Sequence, residues 1–177
     1  MKEVKFEIES LCPLKMDKWV DGNAPKTDEQ YRKFAEEKAY RNKKGELVIP
    51  CDAVKTIIRY GAKELVGVKK GKNIERVIRS GLFIKEDGEG LYLGKKEHDG
   101  IVRDIITRTE GKKQTRVPTY RPLVKEWKTK GTLNIFDDEL NPDFIRQALS
   151  LGGIRYGLLS HRPDFGRFKI TKWEVAK

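Results

Sequence analysis

Apolar residues in this chain recur with two periods, and the switches between them outline its elements. Val4, Phe6 and Ile8 alternate with Lys5, Glu7 and Glu9, the period of a strand with one buried face. Leu11-Cys12-Pro13-Leu14 ends that strand, and a polar loop follows through Lys15, Lys18, Trp19 and Asp21-Gly22-Asn23. Thr27 with Gln30 forms a capping-box pattern that opens a short helix from Asp28 to Tyr40. Asn42 to Gly45 makes a basic turn into a short strand, Leu47-Val48-Ile49. Asp52 then caps the strongest predicted helix. Its residues Ala53, Val54, Ile57, Ile58, Gly61, Ala62, Leu65 and Val66 share one face at period 3.6. Lys55, Arg59 and Lys63 form a basic stripe opposite, which reads either as a binding face or as ordinary solvated surface.

The middle is less regular. Lys69 to Lys72 reads as a basic turn and Ile74 to Ile78 as a helical turn. Leu82 to Ile84 and Leu91 to Leu93 suggest a hairpin around Asp87-Gly88. From Lys95 to Arg121 the chain is polar and basic, and Gly111-Lys112-Lys113-Gln114-Thr115-Arg116 resembles a flexible loop tip, where ligand contacts often sit. Order returns with Trp127, Thr129, Gly131, Leu133 and Ile135 alternating along a long strand. Asn141-Pro142 starts a helix with Phe144, Ile145, Ala148 and Leu149 on its apolar face, and Gly152-Gly153 is expected to end it. Phe168 to Val175 reads as the last strand.

With its extras removed, this order is βαββαβ, the ferredoxin-like split unit, an α+β class. Two amphipathic helices then cover one sheet face and leave the other free, as in RNA-recognition-motif domains. At 177 residues one domain is expected, with a core near 2–11, 47–94 and 123–176 and insertions near 15–46 and 95–122.

Charge adds a ligand class to this outline. Lysine and arginine outnumber aspartate and glutamate 38 to 27, a net charge of +11. Such an excess raises affinity for polyanions and speeds encounter with them. The densest candidate segment follows the second long helix: Gly152-Gly153-Ile154-Arg155-Tyr156-Gly157, then His161-Arg162-Pro163-Asp164-Phe165-Gly166-Arg167-Phe168. Arginine supplies a planar fork for phosphate, and aromatic rings supply faces for bases. Arg155, Arg162 and Arg167 are the first candidates for phosphate contacts, with Tyr156 and Phe165 for stacking; a glycine-rich turn with surface ion pairs is the structural alternative. Lys15, Lys18 and Trp19 come next, and Trp19 fits core packing equally well. His161 reads as a hydrogen-bonded loop histidine, and Trp127 and Trp173 as core.

Other chemistry finds less support. Cys12 and Cys51 lie in apolar stretches with no CxxC or Cys/His spacing, so two buried thiols are expected and neither zinc nor a disulfide. The charged start, Met1-Lys2-Glu3-Val4-Lys5, is unlike a signal peptide, and no apolar run approaches the ~20 residues of a membrane span. A cytoplasmic protein of a bacterial or phage-infected cell is expected. No nucleophile–base pair, phosphate loop or dinucleotide fingerprint is present, and no cofactor is expected.

Two segments together resemble a family. Val48-Ile49-Pro50-Cys51-Asp52-Ala53-Val54-Lys55-Thr56-Ile57-Ile58-Arg59 looks like the signature of the RAMP superfamily, the CRISPR effector backbone proteins. There a short strand ends in Ile-Pro and small residues open a helix that closes on a basic residue. Residues 152–168 resemble that family's glycine-rich loop, and Leu11-Cys12-Pro13-Leu14 sits where such proteins carry a Pro-Leu element. Cys51-Asp52 replaces the usual Gly-Ser pair, and Ser160-His161-Arg162-Pro163 interrupts the glycine-rich loop. The resemblance covers about a third of the chain, and at 177 residues the chain looks more like a solo relative of phage type than a full effector subunit. It implies an RRM-like core that binds single-stranded nucleic acid, DNA in preference to RNA, as repeated subunits along a strand. It also places Arg59 and Lys63 along the groove and makes Lys112, Lys113 and Arg116 a thumb-like loop across the strand.

Two other functions compete with non-catalytic strand binding. One is a CRISPR-subunit mimic that acts by docking on a protein complex. The other is a metal-dependent ribonuclease using Asp17 or Asp21 in the loop after the first strand, where some RAMP proteins carry a catalytic aspartate.

Overall fold

Strands with the expected alternation assemble into an antiparallel sheet, and the two long amphipathic helices cover its apolar face. The computed structural model describes residues 1–22, 25–85 and 90–176. Its elements run β1 (Lys2–Ser10), β2 (Leu14–Lys15), α1 (Asp28–Glu37), β3 (Val48–Ile49), α2 (Cys51–Val66), α3 (Val68–Gly81) and β4 (Leu82–Lys85). There follow β5 (Leu91–Tyr92), β6 (Ile101–Glu110), β7 (Lys113–Val124), β8 (Lys128–Ile135), α4 (Pro142–Arg155) and β9 (Phe168–Val175).

The main sheet has the order β4-β8-β1-β9, with every neighbour antiparallel. Helix α2 lies between β1 and β4 in sequence and α4 between β8 and β9, so the core is the ferredoxin-like βαββαβ unit. Register explains which side is buried. Val4 pairs with Leu133, Phe6 with Gly131 and Ile8 with Thr129, so the apolar half of each alternation faces the helices. Val4, Phe6, Ile8 and Leu133 are almost completely buried. A second sheet, β2-β7-β6, and a small pair, β3-β5, are added to this core.

Glycines set how closely the helices cross. A methyl group at Gly61 of α2 would overlap the backbone carbonyl of Ala148 in α4, and one at Gly152 would overlap the carbonyl of Ile57. Gly153 faces the Phe168 ring with the same lack of room. Gly152-Gly153 therefore does not end α4 as expected; it lies inside the helix, where close packing outweighs glycine's poor helix propensity. Gly61→Ala is expected to lower the unfolding free energy by about 1–3 kcal/mol, because backbone rather than a flexible side chain must yield. A shift in the urea midpoint reads this. A loss under about 0.5 kcal/mol would show that the two helices can part without cost.

Several local expectations give way to longer-range contacts. The basic turn at Lys69–Lys72 and the helical turn after it are one helix, α3, separated from α2 by Gly67 at φ 76°. Lys55 donates to the Arg79 carbonyl at 2.8 Å and Arg59 faces Glu75 at 3.6 Å, so α3 covers much of the basic stripe of α2. Burial pushes the Lys55 ammonium down from its ordinary range, against the opposing pull of Asp52. Asp52 is in the first turn of α2 but is not its cap, since the helix starts at Cys51 after Pro50. Leu82–Ile84 and Leu91–Leu93 do not pair with each other: β4 adds to β8 and β5 adds to β3. The expected turn at Asp87-Gly88 lies outside the described residues. Helix α1 stops at Glu37, short of Tyr40, with Thr27 accepting from the Gln30 amide while the Gln30 side chain accepts from Lys26. Neither cysteine is in a disulfide, but only Cys51 is buried; Cys12 is half-buried.

The largest departure lies between Ile101 and Val124. The polar stretch is a long hairpin in which β6 and β7 pair continuously from Ile101–Pro122 to Glu110–Lys113. Gly111 and Lys112 form its two-residue turn, with Gly111 at φ 61° supplying the positive φ that such turns need. Its alternation carries little sequence signal because most of the outer half of the ribbon is solvated on both sides.

Candidate nucleic-acid interface

The glycine-arginine segment is tied down more tightly than a free contact loop. Leu158 donates to the Gly166 carbonyl at 2.9 Å, Gly166 to Pro13 at 2.8 Å and Ser160 to Lys15 at 3.1 Å, stitching residues 158–166 onto the loop after β1. Arg155 donates to Glu64, and the Tyr156 hydroxyl donates to the same carboxylate, locking the end of α4 to α2. These bonds, Tyr156 first, hold the Glu64 carboxyl below its usual range and push the Tyr156 phenol up. The Tyr156 ring lies 5.2 Å from that of Tyr60, and Arg162 sits over Tyr60. Arg167 donates to the Pro163 carbonyl at 2.7 Å. Arg162 and Arg167 reach solvent, whereas Tyr156 and Phe165 are half-buried and partnered within the protein. We expect Arg155→Ala with Arg167→Ala to leave oligonucleotide affinity within about twofold of wild type. The thermal midpoint should fall only slightly, since exposed pairs contribute about 0–1 kcal/mol. A tenfold loss of affinity would return this loop to the interface.

Lys15 is not a surface cation. It is buried beneath the Phe165 ring, with Nζ 3.9 Å from the ring centroid, 2.8 Å from Asp104 and 3.1 Å from His161 Nδ1. Arg121, also buried, donates to both Asp104 and Asp17, and Lys38 completes the chain 3.1 Å from Asp17. This ionic cluster anchors the base of the β6–β7 ribbon to β2, α1 and the loop around His161. Asp17 is therefore held by two cations, and the exposed Asp21 accepts from the Trp19 indole at 3.0 Å. No group of three His, Cys, Asp or Glu side chains among the described residues is placed to hold a metal ion. Arg59 is committed to Glu75, and its buried Nε has no hydrogen-bond partner among the described residues. Lys18, Lys63, Lys112, Lys113 and Arg116 are exposed, the last three at the ribbon tip. Trp19 is 84% exposed, so it is not the core residue that its hydrophobicity also permitted.

The uncovered face of the main sheet carries a different set. Strand pairing places Glu3, Lys5, Glu7 and Glu9 of β1 beside Lys128, Lys130, Thr132 and Asn134 of β8, with Phe83 and Lys85 of β4 beyond them. Phe83 pairs with Asn134, and Phe136 follows just past the end of β8. Both rings are more than half exposed, which burial alone gives no reason for on an ordinary polar face. Glu7 is matched by Lys128 at 3.1 Å, and that hydrogen bond holds its carboxyl below the usual range; Glu9 lies 3.9 Å from Lys169. Lys5, Lys85 and Lys130 form no ion pair among the described residues. In the sequence these lysines are only the polar half of the alternation, with no motif to mark them. The signal was Phe83, an aromatic at an outward position.

No family model matches this sequence, and no curated protein matches it. Among solved structures, the chain superposes over 99% of its length on a chain described as "Cryo-EM structure of the Type III-B Cmr-beta bound to cognate target RNA", with a TM-score of 0.55 and 16% identity. The chain spans 61% of the length of that protein. Another neighbour is Cmr6 from Pyrococcus furiosus, with 94% and 97% of the two chains covered, a TM-score of 0.48 and 13% identity. At these identities the likeness is one of fold. It agrees with the ferredoxin-like core and lends nothing to a solo phage protein.

Proposed function

We propose that this chain binds single-stranded nucleic acid across the open face of its main sheet, without cleaving it. The observation that carries this reading is exposed Phe83 on one face with Lys5, Lys85 and Lys130, which form no ion pair among the described residues, and exposed Phe136 just past the end of β8. Rings that stack on bases, set among cations that reach phosphates, make a platform tolerant of sequence. A duplex hides its base faces in the stack, leaving rings such as these nothing to stack on. The excess positive charge of the chain supports the same ligand class, and the fold neighbour described as bound to RNA makes RNA the first choice over the DNA that the phage-type resemblance implied. Lys112, Lys113 and Arg116 at the ribbon tip extend the basic surface, and copies of the chain line up along longer strands.

Fluorescence anisotropy with labelled oligo-U, oligo-dT and a duplex of equal length tests this. Oligo-U and oligo-dT should bind more tightly than the duplex, with log affinity falling linearly in log salt by about 0.7 per phosphate neutralised. Complex mass should step upward with oligonucleotide length, and the RNA should be recovered intact after incubation with magnesium. Equal or tighter duplex binding would reject the stacking platform. RNA loss abolished by Asp17→Ala would instead support the nuclease.

A further inference from the structure

Residues 90–92 lie beside β8, where the Thr129 hydroxyl donates to the Tyr92 carbonyl. With the turn 42–46 and the open sheet face they line a groove of about 1090 Å³. Clefts that hold small ligands are typically about 300–1,000 Å³, so a nucleotide with its flanking phosphates fits here.

The turn is built, not loose. Asn42 Oδ1 accepts from the backbone amides of both Lys44 and Glu46 at 3.0 Å, and Asn42 Nδ2 donates to the Glu46 carboxylate at 2.9 Å. Gly45 donates to the Asn42 carbonyl at 2.9 Å, and the Arg41 guanidinium donates to the Gly45 carbonyl at 2.8 Å. An asparagine that folds its own backbone this way holds the following residues in one conformation. Lys44 is exposed on that turn and lines the groove, as does Lys130 of the sheet face. Tyr92, 43% exposed, lines the same groove, while its carbonyl is fixed by the Thr129 hydroxyl at 2.7 Å. Glu46, the acid of the turn, is occupied by Asn42.

We infer that this groove is a clamp for one nucleotide of a bound strand, an inference that rests on the sheet face being the binding platform. Lys44 and Lys130 contact the phosphodiester from the two sides, and the Tyr92 ring takes the base. Because the turn is already ordered, little side-chain and loop freedom is lost on binding. The clamp therefore adds affinity at one fixed place on the face, where the platform alone has none preferred.

Three variants test the clamp against the platform with labelled oligo-U: Lys44→Ala, Tyr92→Ala and Asn42→Ala. Lys44→Ala should weaken binding about fivefold and reduce the salt slope by about 0.7, the loss of one phosphate contact. Tyr92→Ala should weaken it five- to tenfold with the slope unchanged, and Asn42→Ala should weaken it about threefold although every lysine remains. Circular dichroism checks folding; should Asn42→Ala melt early, the two exposed side chains carry the test. Wild-type affinity in both Lys44→Ala and Tyr92→Ala, with binding still lost in Phe83→Ala, would overturn the clamp and leave the platform standing. A wild-type protein that ignores oligo-U and oligo-dT at low salt would overturn both.

Discussion

Asp104→Ala is expected to lower the free energy of unfolding by about 3–5 kcal/mol, the range for removing one partner of a buried charge pair. Asp104 is 12% exposed at its side chain and accepts from Lys15 and Arg121, which are 4% and 7% exposed. Without the carboxylate, the Lys15 ammonium keeps, among the described residues, His161 Nδ1 and the Phe165 face, neither of which offsets a desolvated charge. Urea unfolding measures the loss. Adding Lys15→Met to Asp104→Ala should recover part of it, since replacing both partners by apolar groups is much less costly than orphaning one. A loss below about 1 kcal/mol would mean that water reaches Lys15 in the native state.

The same carboxyl sets an acid limit. Burial by itself raises its affinity for a proton, but the Lys15 hydrogen bond and charge, then His161 and Arg121, outweigh burial and hold it below the usual range. Its folded value is thus depressed relative to the unfolded chain. The stabilisation is present above the unfolded aspartate value, near about 4, and is lost as pH falls through the folded value. Wild type should therefore lose more stability than Asp104→Asn between about pH 4 and pH 2, read from urea midpoints across that window.

Charge reversal on the open face should have the largest effect on binding. Lys5→Glu, Lys85→Glu and Lys130→Glu together are expected to weaken single-strand affinity by about 100-fold or more at low salt, equivalent to about 2.7 kcal/mol. All three side chains are exposed and form no ion pair among the described residues, so stability should change by less than about 0.5 kcal/mol. Phe83→Ala with Phe136→Ala should cost about 1–3 kcal/mol of binding per ring that stacks. Retained affinity in the triple variant would remove the sheet face from the interface.

The core was legible because its physics is local. Alternation in Val4-Phe6-Ile8 and Leu133-Ile135, and the period of Val54-Ile57-Ile58-Gly61, register burial directly in the sequence. What failed depended on partners distant along the chain. Gly152-Gly153 looks like a helix stop until Ile57 and Phe168 are placed against it. Lys15 looks like a surface cation until Asp104, 89 residues away, arrives beside it. The ribbon was hidden because a solvated two-stranded hairpin has little apolar face to show. The segment richest in glycine and arginine looks like a contact loop until Glu64, Tyr60, Lys15 and Pro163 are placed against its side chains. The open face was expected from topology, but its residues are spread over three strands and form no motif.

Photocrosslinking most directly tests the claim that the open sheet face is the platform. The wild-type chain is bound to an oligo-U containing 4-thiouridine, irradiated and digested, and the crosslinked peptides are mapped by mass spectrometry. Crosslinks are expected on Phe83, Phe136 and Tyr92, and are lost when Lys5, Lys85 and Lys130 are reversed together. Crosslinks confined to residues 155–167 or to the ribbon tip, with none on the sheet face, would contradict it.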